Sequence, residues 1–519
     1  MILVTNLRKQ LIISILALGI TLPARCSWWH SLLNYGQTIT QYMNKKSVAL
    51  TAGAIGLLYA CNKLHGATKG PFDHETSNNA FEKITPNNMS VPSTIDETCA
   101  LIAEATKNGH TVSIAGARQS RGNQTTSHRA TTMIDTRKLN RIIAIDAQNM
   151  LVTVEAGITW KELEDALHTH GLSIITRQSY INFSVGGSIG VNIHGQNTHE
   201  TMLYDTITSL KVILANGQLV VASRTEKPEL FDAIIGGYGL IGLMAEVTLR
   251  VTHDCWLRMT TQRMKTTQYA DFFKNTIKPD KNIHFHSARL SINPDALFEE
   301  LISITYSKES QNKDALPELK DTQSLMDRCL LHLIRQGSLG KKVRLPIEER
   351  MLKKTKHTSR NNALRDSIEN LRPLNNSRDC LQEYFMPCNE LEQFLAALKK
   401  IVIDYNINLM NVTIRYVKAH KTPLLSYANQ DCFALVLYYN IPQEDAAYCT
   451  TKKWTQKLID AAICLGGSFY LPYELLARSD QVLKAYPNFR RFCCTIKNEY
   501  DPAHTFTNAF FERYKVTRL

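Results

Sequence analysis

The chain has twelve cysteines in 519 residues but no CxxC pair. That excludes the common spacing of zinc ligands and of dithiol redox motifs. Twelve is also far below the cysteine density of a small disulfide scaffold, so the cysteines read as reduced, mostly buried thiols, with no metal site. Acidic side chains are the scarcer charge, 47 against 60 lysines and arginines, for a formal net charge of +13. The excess favours anionic partners such as phosphates or anionic lipid. Basic and aromatic residues are not interleaved and no nucleic-acid motif is present, so nucleic acid is not an expected partner. Repeats and low-complexity tracts are also missing. At 44% hydrophobic and 21% charged residues the chain is globular, and long enough for two or three domains with their own cores.

No apolar run reaches the ~20 residues of a comfortable membrane span. Two shorter runs lie near the start. Arg8 and Lys9 precede Leu11 to Leu22, followed by "PARCS", and Lys45 and Lys46 precede Val48 to Ala60. The first has the charged, apolar and small-residue layout of a signal peptide or short anchor. Residues 1–70 are therefore expected to be a signal or anchor region that associates the protein with a membrane.

Beyond a polar, proline-marked linker, strand and helix patterns alternate. Thr94 and Glu97 frame a capping box before "CALIAEATK", and "TVSIAGA" follows as a strand. Thr159 and Glu162 frame a second box before the helix "WKELEDALHTHG", closed by Gly171. "LKVILANGQLVVAS" is a hairpin about Asn216-Gly217. The fold class is α+β, with a first domain over residues 80–252, a second over 255–470 and a C-terminal segment, 471–519. Within the second domain, residues 335–365 carry ten lysines and arginines, among them Arg335, Lys341, Lys342, Arg344, Arg350, Arg360 and Arg365, against Glu348 and Glu349 only. Such a block is either a solvated face or loop, or a dock for an anionic membrane.

Gly237-x-Gly239-x-x-Gly242 matches the dinucleotide fingerprint letter for letter. In a Rossmann unit those glycines open a helix, whereas here they open "LMAEVTLRV", which is strand-like, so that reading is rejected. Three glycine stretches at strand–turn junctions make a better set: "AGARQSRGN" from Ala115, "SVGGSIGVNIHG" from Ser184 and "GGYGLIG" from Gly236. Glycine turns with free N–H groups suit a pyrophosphate.

In their order and spacing these stretches, with the run Asp205 to Gly217, resemble the FAD-binding domain of the vanillyl-alcohol-oxidase and p-cresol-methylhydroxylase superfamily. "GGSIGVNIHGQNTH" and the ending "EYDPAHTFTNAFFERY" are most similar to the branch of sugar and aldonolactone oxidases and decaprenylphosphoryl-ribose oxidase. The resemblance implies a two-subdomain FAD domain followed by a substrate-binding cap, with the C-terminal segment returning to the FAD domain. It implies a pyrophosphate site at Gly116, Ala117, Arg118, Gln119 and Ser120, joined by Ser184, Val185, Gly186 and Gly187. Asn192 and His194 would lie near the pyrophosphate and ring system, Gly242, Leu243 and Met244 by the adenine, and Tyr470 near the isoalloxazine. Many relatives attach FAD through a histidine where this chain has Gln119, which implies a non-covalent cofactor here. Arg415 matches a family arginine by the flavin. Thr413 and Tyr473 replace a family glutamate and lysine, which puts a lactone or polyol substrate in doubt. Tyr473, helped by Arg415, is the expected acceptor of the alcohol proton, ahead of Glu474, His420 and Lys418.

The expected activity is hydride transfer from a hydroxyl-bearing carbon of a sugar, aldonolactone or polyprenyl-linked sugar to FAD. Electrons then pass to oxygen or to a membrane or protein carrier. The competing readings are a membrane-associated, sterol-type double-bond reductase using NADPH, and a binding protein without turnover.

Overall fold

The computed structural model describes residues 84–309, 315–320, 330–331, 333–335, 337–352, 357–363, 365 and 377–516. The expected anchor over residues 1–70 lies outside them. Among the described residues no helix is long and apolar enough to cross a membrane.

The chain opens with a small parallel sheet in the order β1 (Met89–Ser90), β3 (Thr132–Asp135), β2 (Val112–Ala115). Helix α1 (Ile95–Lys107) crosses between β1 and β2. Thr94 caps it by accepting the Glu97 N–H at 3.1 Å, while the Glu97 carboxylate takes the N–H of Ser93 rather than that of the cap residue. A larger antiparallel sheet follows in the order β4 (Ile142–Asp146), β5 (Leu151–Glu155), β9 (Leu243–His253), β7 (Ile207–Ile213), β8 (Leu219–Ser223). Helix α2 (Trp160–His168) starts on the complete Thr159–Glu162 capping box. Asn216 and Gly217 turn the β7–β8 hairpin, with Gly217 at φ 81°. The residues after Gly242 form strand β9, which is why the literal fingerprint is not a Rossmann turn.

"VGGSIG" departs from the turn expected of it: Val185–Gly190 is a short helix, α3, capped by the Ser184 hydroxyl. Its glycines serve close packing, since a Cβ on Gly186 would meet the Cβ and carbonyl oxygen of Ala156 at 2.8 Å.

The second domain is built on an eight-stranded sheet. Its order is β13 (His357–Ser359), β10 (Trp256–Lys265), β12 (Glu300–Lys308), β11 (Ile283–Leu290), β15 (Asn408–Val417), β16 (Cys432–Pro442), β14 (Ser377–Pro387), β17 (Ser468–Phe469). The period of two divides β14 between its faces. Tyr384 points to the long helices Leu391–Asp404 and Asp445–Cys464, packing on Phe394, while Gln382 on the same face bonds Thr455. Glu383 and Phe385 point the other way, toward the first domain. The C-terminal segment returns to that domain. Phe506 bridges in parallel to Val112, and Ala509 N–H donates to the Thr126 carbonyl at 2.8 Å.

The basic block needs a correction. Arg335, Arg344, Arg360 and Arg365 are neither a solvated face nor a membrane dock but buried ion-pair and hydrogen-bond partners. Arg335 pairs with Asp379, Arg344 with Glu348 at 2.9 Å, and Arg365 with Glu164 at 2.8 Å. Arg360 donates to the Ile175 carbonyl at 2.8 Å and stacks on Phe285. Apart from Glu348, the partners lie far off in sequence, invisible to a local count of charge. Lys342 and Arg350 do remain exposed.

Candidate functional site

The three glycine stretches converge. Ser184 Oγ accepts from the N–H groups of Ala117 at 3.2 Å and Gly187 at 3.3 Å, joining the first stretch to the start of α3. At the far end of α3, Gly236 N–H donates to Ile189 and Tyr238 N–H to Gly190, at 2.9 and 2.8 Å, which adds the third stretch. The approach of the first two is so close that a Cβ on Gly116 would lie 2.2 Å from Ser184 Oγ. Arg118 and Asn123 adopt left-handed backbone conformations, φ 54° and 58°, and Asn192 and Tyr238 do so across the junction. Such strain gathers where a surface is shaped for a ligand.

Arg118 is held from beneath. Its guanidinium bonds Asp135 at 2.7 Å, and Asp135 also binds Arg137. Burial alone would raise the Asp135 carboxyl, but the Arg137 hydrogen bonds and the Arg118 charge override it and hold it below its ordinary value. Ala117, Gln119 and Ser120 are partly exposed and Gly187 is exposed. Gly116–Ser120 and the Ser184 hydroxyl offer donors with no carboxylate among them, while the N–H groups of Val185, Gly186, Gly187 and Ser188 are taken by Ile158, Ala156 and Ser184. That donor set fits the pyrophosphate of a dinucleotide cofactor.

The other expected contacts divide. Val185 and Leu243 are fully buried core residues. Gly242 to Met244 extend beyond the end of β5, whose ladder with β9 stops at Glu155–Glu246. The Asn192 side chain turns inward, accepting the Tyr204 N–H at 3.1 Å, while its carbonyl accepts from the Tyr427 hydroxyl at 2.7 Å.

His194 meets a residue that sequence reasoning missed. Its Nε2 lies 2.6 Å from Glu383 Oε1, with both side chains almost wholly buried. Since a carboxylate accepts, the imidazole donates. The other carboxylate oxygen accepts from the Tyr473 hydroxyl at 3.3 Å. Pairing of β17 with β14 brings the chain after Phe469 alongside Glu383, whose carbonyl accepts the Tyr470 N–H. Glu383, Tyr470 and Tyr473 also line a void of about 20 Å³, room for about one water, together with Tyr384 and Thr455. An aromatic wall of Phe385, Tyr427 and Tyr470 encloses the His194 ring, with centroid distances of 5.5, 6.1 and 6.2 Å.

The hydroxyl of Tyr470 is committed to the Val191 carbonyl at 2.8 Å, so it serves as wall and anchor. Tyr473 is a donor. Burial, and next the Glu383 charge, push its phenol well above the ordinary value, and Arg415 and Arg121 offset this only in part. Arg415, on β15, is partly buried, and its Nε has no hydrogen-bond partner among the described residues. The lesser candidates have other partners: Glu474 pairs with Arg378 at 3.4 Å and His420 with Asp205 at 3.0 Å, while Lys418 is exposed. A signal for Glu383 was present, an acid inside the apolar strand "LQEYFMP". What it lacked was any local hint of its partner, 189 residues away.

Glycine turns suited to a pyrophosphate, beside a buried acid–imidazole–phenol chain, are parts that a flavoprotein oxidoreductase can use. Residues 86–223 match the model of an FAD binding domain, and residues 247–514, more than half of the chain, match that of D-arabinono-1,4-lactone oxidase. The chain belongs to the D-arabinono-1,4-lactone oxidase family, with FAD as its cofactor. It is 27% identical to L-gulonolactone oxidase of Bos taurus over 208 residues, 39% of this chain and 46% of the relative. It is 27% identical to D-arabinono-1,4-lactone oxidase of Yarrowia lipolytica over 196 residues, 37% and 36% of the two chains. With decaprenylphosphoryl-beta-D-ribose oxidase of Mycolicibacterium smegmatis it shares 34% over 122 residues, 23% and 26%. The matched stretches thus span less than half the length of each of these relatives.

Proposed function

We propose that this protein is an FAD-dependent oxidoreductase that oxidises a hydroxyl-bearing carbon of a sugar, aldonolactone or polyprenyl-linked sugar. The observation that carries the reading is the His194–Glu383–Tyr473 chain, set against the aromatic wall next to the converging glycine stretches. When bound, FAD supplies a two-electron acceptor for the substrate's hydride. The residues toward it are those of the cradle: Gly116 to Ser120 and Ser184 to Gly187 for the pyrophosphate, with Gly242 to Met244 on the adenine side. Gln119 in place of an attaching histidine makes the cofactor non-covalent.

The wall of Phe385, Tyr427 and Tyr470 keeps water from the reacting carbon. Arg415, with a donor to spare, holds a substrate oxygen or an anionic substituent. Thr413 and Tyr473, standing where the resemblance places a glutamate and a lysine, would change which substrate hydroxyls are bound. Oxygen or a membrane or protein carrier takes the electrons. Membrane association through the N-terminal apolar runs belongs to the same reading.

The test is anaerobic mixing of the yellow protein with alcohols, lactones and sugar phosphates, following loss of flavin absorbance. Bleaching by at least one hydroxyl compound is expected. Rapid bleaching by NADPH, with none by any hydroxyl compound, overturns the reading in favour of a reductase.

A further inference from the structure

We propose that Glu383 is the final acceptor of the substrate's hydroxyl proton, receiving it through the Tyr473 hydroxyl while His194 holds the carboxylate in place. The proposal rests on the oxidoreductase reading above.

Glu383 is 3% exposed, and each of its oxygens faces one partner: Oε1 the His194 imidazole at 2.6 Å, Oε2 the Tyr473 hydroxyl at 3.3 Å. Tyr473 is the partly exposed member of the three. The phenol is thus the member of the three that a substrate meets first, with the buried carboxylate behind it. A phenol that already donates to a carboxylate, in surroundings that raise its pKa, is not a standing base at neutral pH. It takes a proton only as it gives up its own, and Glu383 is within hydrogen-bond reach to accept it.

The step balances as follows. The substrate C–H and O–H bonds break and a C=O bond forms, the electron pair leaving with the hydride. The hydroxyl proton goes to Tyr473 Oη, and the proton already there goes to Glu383 Oε2. Tyr473 is unchanged at the end and Glu383 is protonated. The groups facing this chain are Arg415 from β15, Arg121 from the first glycine stretch, His194 after α3, and the Tyr427 and Tyr470 phenols. Glu383 is the one carboxylate bonded to Tyr473 among the described residues. His194 is a positioning residue. It fixes one oxygen so that the other stays aimed at the phenol.

The experiment compares wild type, Glu383→Gln and Tyr473→Phe, each as the full chain loaded with FAD, reduced anaerobically by whichever hydroxyl compound bleaches wild type. Infrared difference spectra are taken alongside. In wild type a protonated-carboxyl band rises with flavin reduction; it is absent in Glu383→Gln and in Tyr473→Phe. Both variants keep wild-type FAD affinity and are reduced at least ~10²-fold more slowly. Wild-type reduction rates in both variants, or a carboxyl band that persists in Glu383→Gln, overturn the relay. If Glu383→Gln does not fold, Tyr473→Phe decides alone: a wild-type rate overturns the relay, and a slowed rate with the band lost supports it. If no hydroxyl compound bleaches wild type, it is the oxidoreductase reading that fails, an outcome distinct from fast variants.

Discussion

Lys497 and Asp501, one helical turn apart and without exposed surface, form an ion pair in which every ammonium proton is used. Besides the carboxylate, Lys497 Nζ donates to the carbonyls of Leu240 at 2.6 Å and Phe506 at 2.7 Å. Asp501 accepts the N–H groups of Thr505 and Phe506, both at 2.8 Å. One pair thus fastens the C-terminal segment to the third glycine stretch and, through Phe506, to β2.

Lys497→Met should cost about 3–5 kcal/mol, because it leaves the Asp501 charge buried without its cation. Lys497→Met/Asp501→Asn should recover part of that loss, since no bare charge remains. Urea unfolding monitored by circular dichroism measures both. FAD retention during gel filtration should fall in the single variant, as the stretch at Leu240 loses its anchor.

The contact between Gly116 and Ser184 gives a second expectation. In Gly116→Ala the new Cβ falls 2.2 Å from Ser184 Oγ, so one of the two stretches must move, at a cost of about 1–3 kcal/mol. The variant should be purified pale, with weakened FAD binding. Gly116→Ala/Ser184→Gly removes the obstructing hydroxyl and should regain stability while still binding FAD poorly, because the Ala117 and Gly187 N–H groups lose their shared acceptor. Denaturation midpoints and flavin fluorescence quenching separate the two effects.

What could be read in the sequence was what short-range physics decides. The Thr159–Glu162 capping box, the Asn216-Gly217 hairpin and the strand after Gly242 needed only neighbouring residues. Helix α3 was hidden because its glycines argue against helix by about 1 kcal/mol each, a penalty offset by the Ser184 cap and by packing on Ala156. Glu383 looked like an anomaly in a strand, and its meaning depends on His194 across the domain boundary. The buried arginines of the basic block were misread for the same reason: Glu164 and Asp379 neutralise Arg365 and Arg335 only after folding. The family resemblance reached the FAD-binding domain, which residues 86–223 match, because its glycine turns stand close together in sequence. It did not reach Glu383, which none of the matching motifs contains.

A buried and a half-buried histidine of β11, His286 and His284, predict an acid-sensitive fold. His286 lies between Thr305 Oγ1 at 2.9 Å and the Tyr269 hydroxyl at 3.2 Å, and burial lowers its pKa to about 3. His284 accepts from Arg360 at 2.8 Å and is lowered to about 4, by burial first and then by the Arg360 charge. The unfolded chain protonates both near pH ~6.5. Below that pH the unfolded state binds more protons, so this stability is fully present above pH ~6.5 and is lost as pH falls toward the folded values. Each histidine steepens the loss by up to ~1.4 kcal/mol per pH unit. His286→Gln should therefore be less stable than wild type at pH 7 yet lose less between pH 7 and 5, as urea midpoints at the two values would show.

The mode of cofactor attachment rests on which nitrogens are free. A histidine bonds covalently to a flavin through an unencumbered ring nitrogen, whereas the Gln119 amide nitrogen shares its lone pair with the carbonyl and is not a nucleophile. His194, the imidazole by the aromatic wall, has Nε2 donating to Glu383 at 2.6 Å and Nδ1 3.2 Å from the Gly195 carbonyl. Attachment there would break the pair that holds the carboxylate, at a position where both side chains are almost wholly buried. Acid precipitation should therefore release all of the flavin to the supernatant and leave a colourless pellet. A yellow pellet that survives washing would overturn this, and the modified peptide would show whether His194 or another residue carries the flavin. A flavin without a covalent bond depends on the contacts around it, so Ser184→Ala should lose FAD on dilution faster than wild type, a rate read directly from the rise in free-flavin fluorescence.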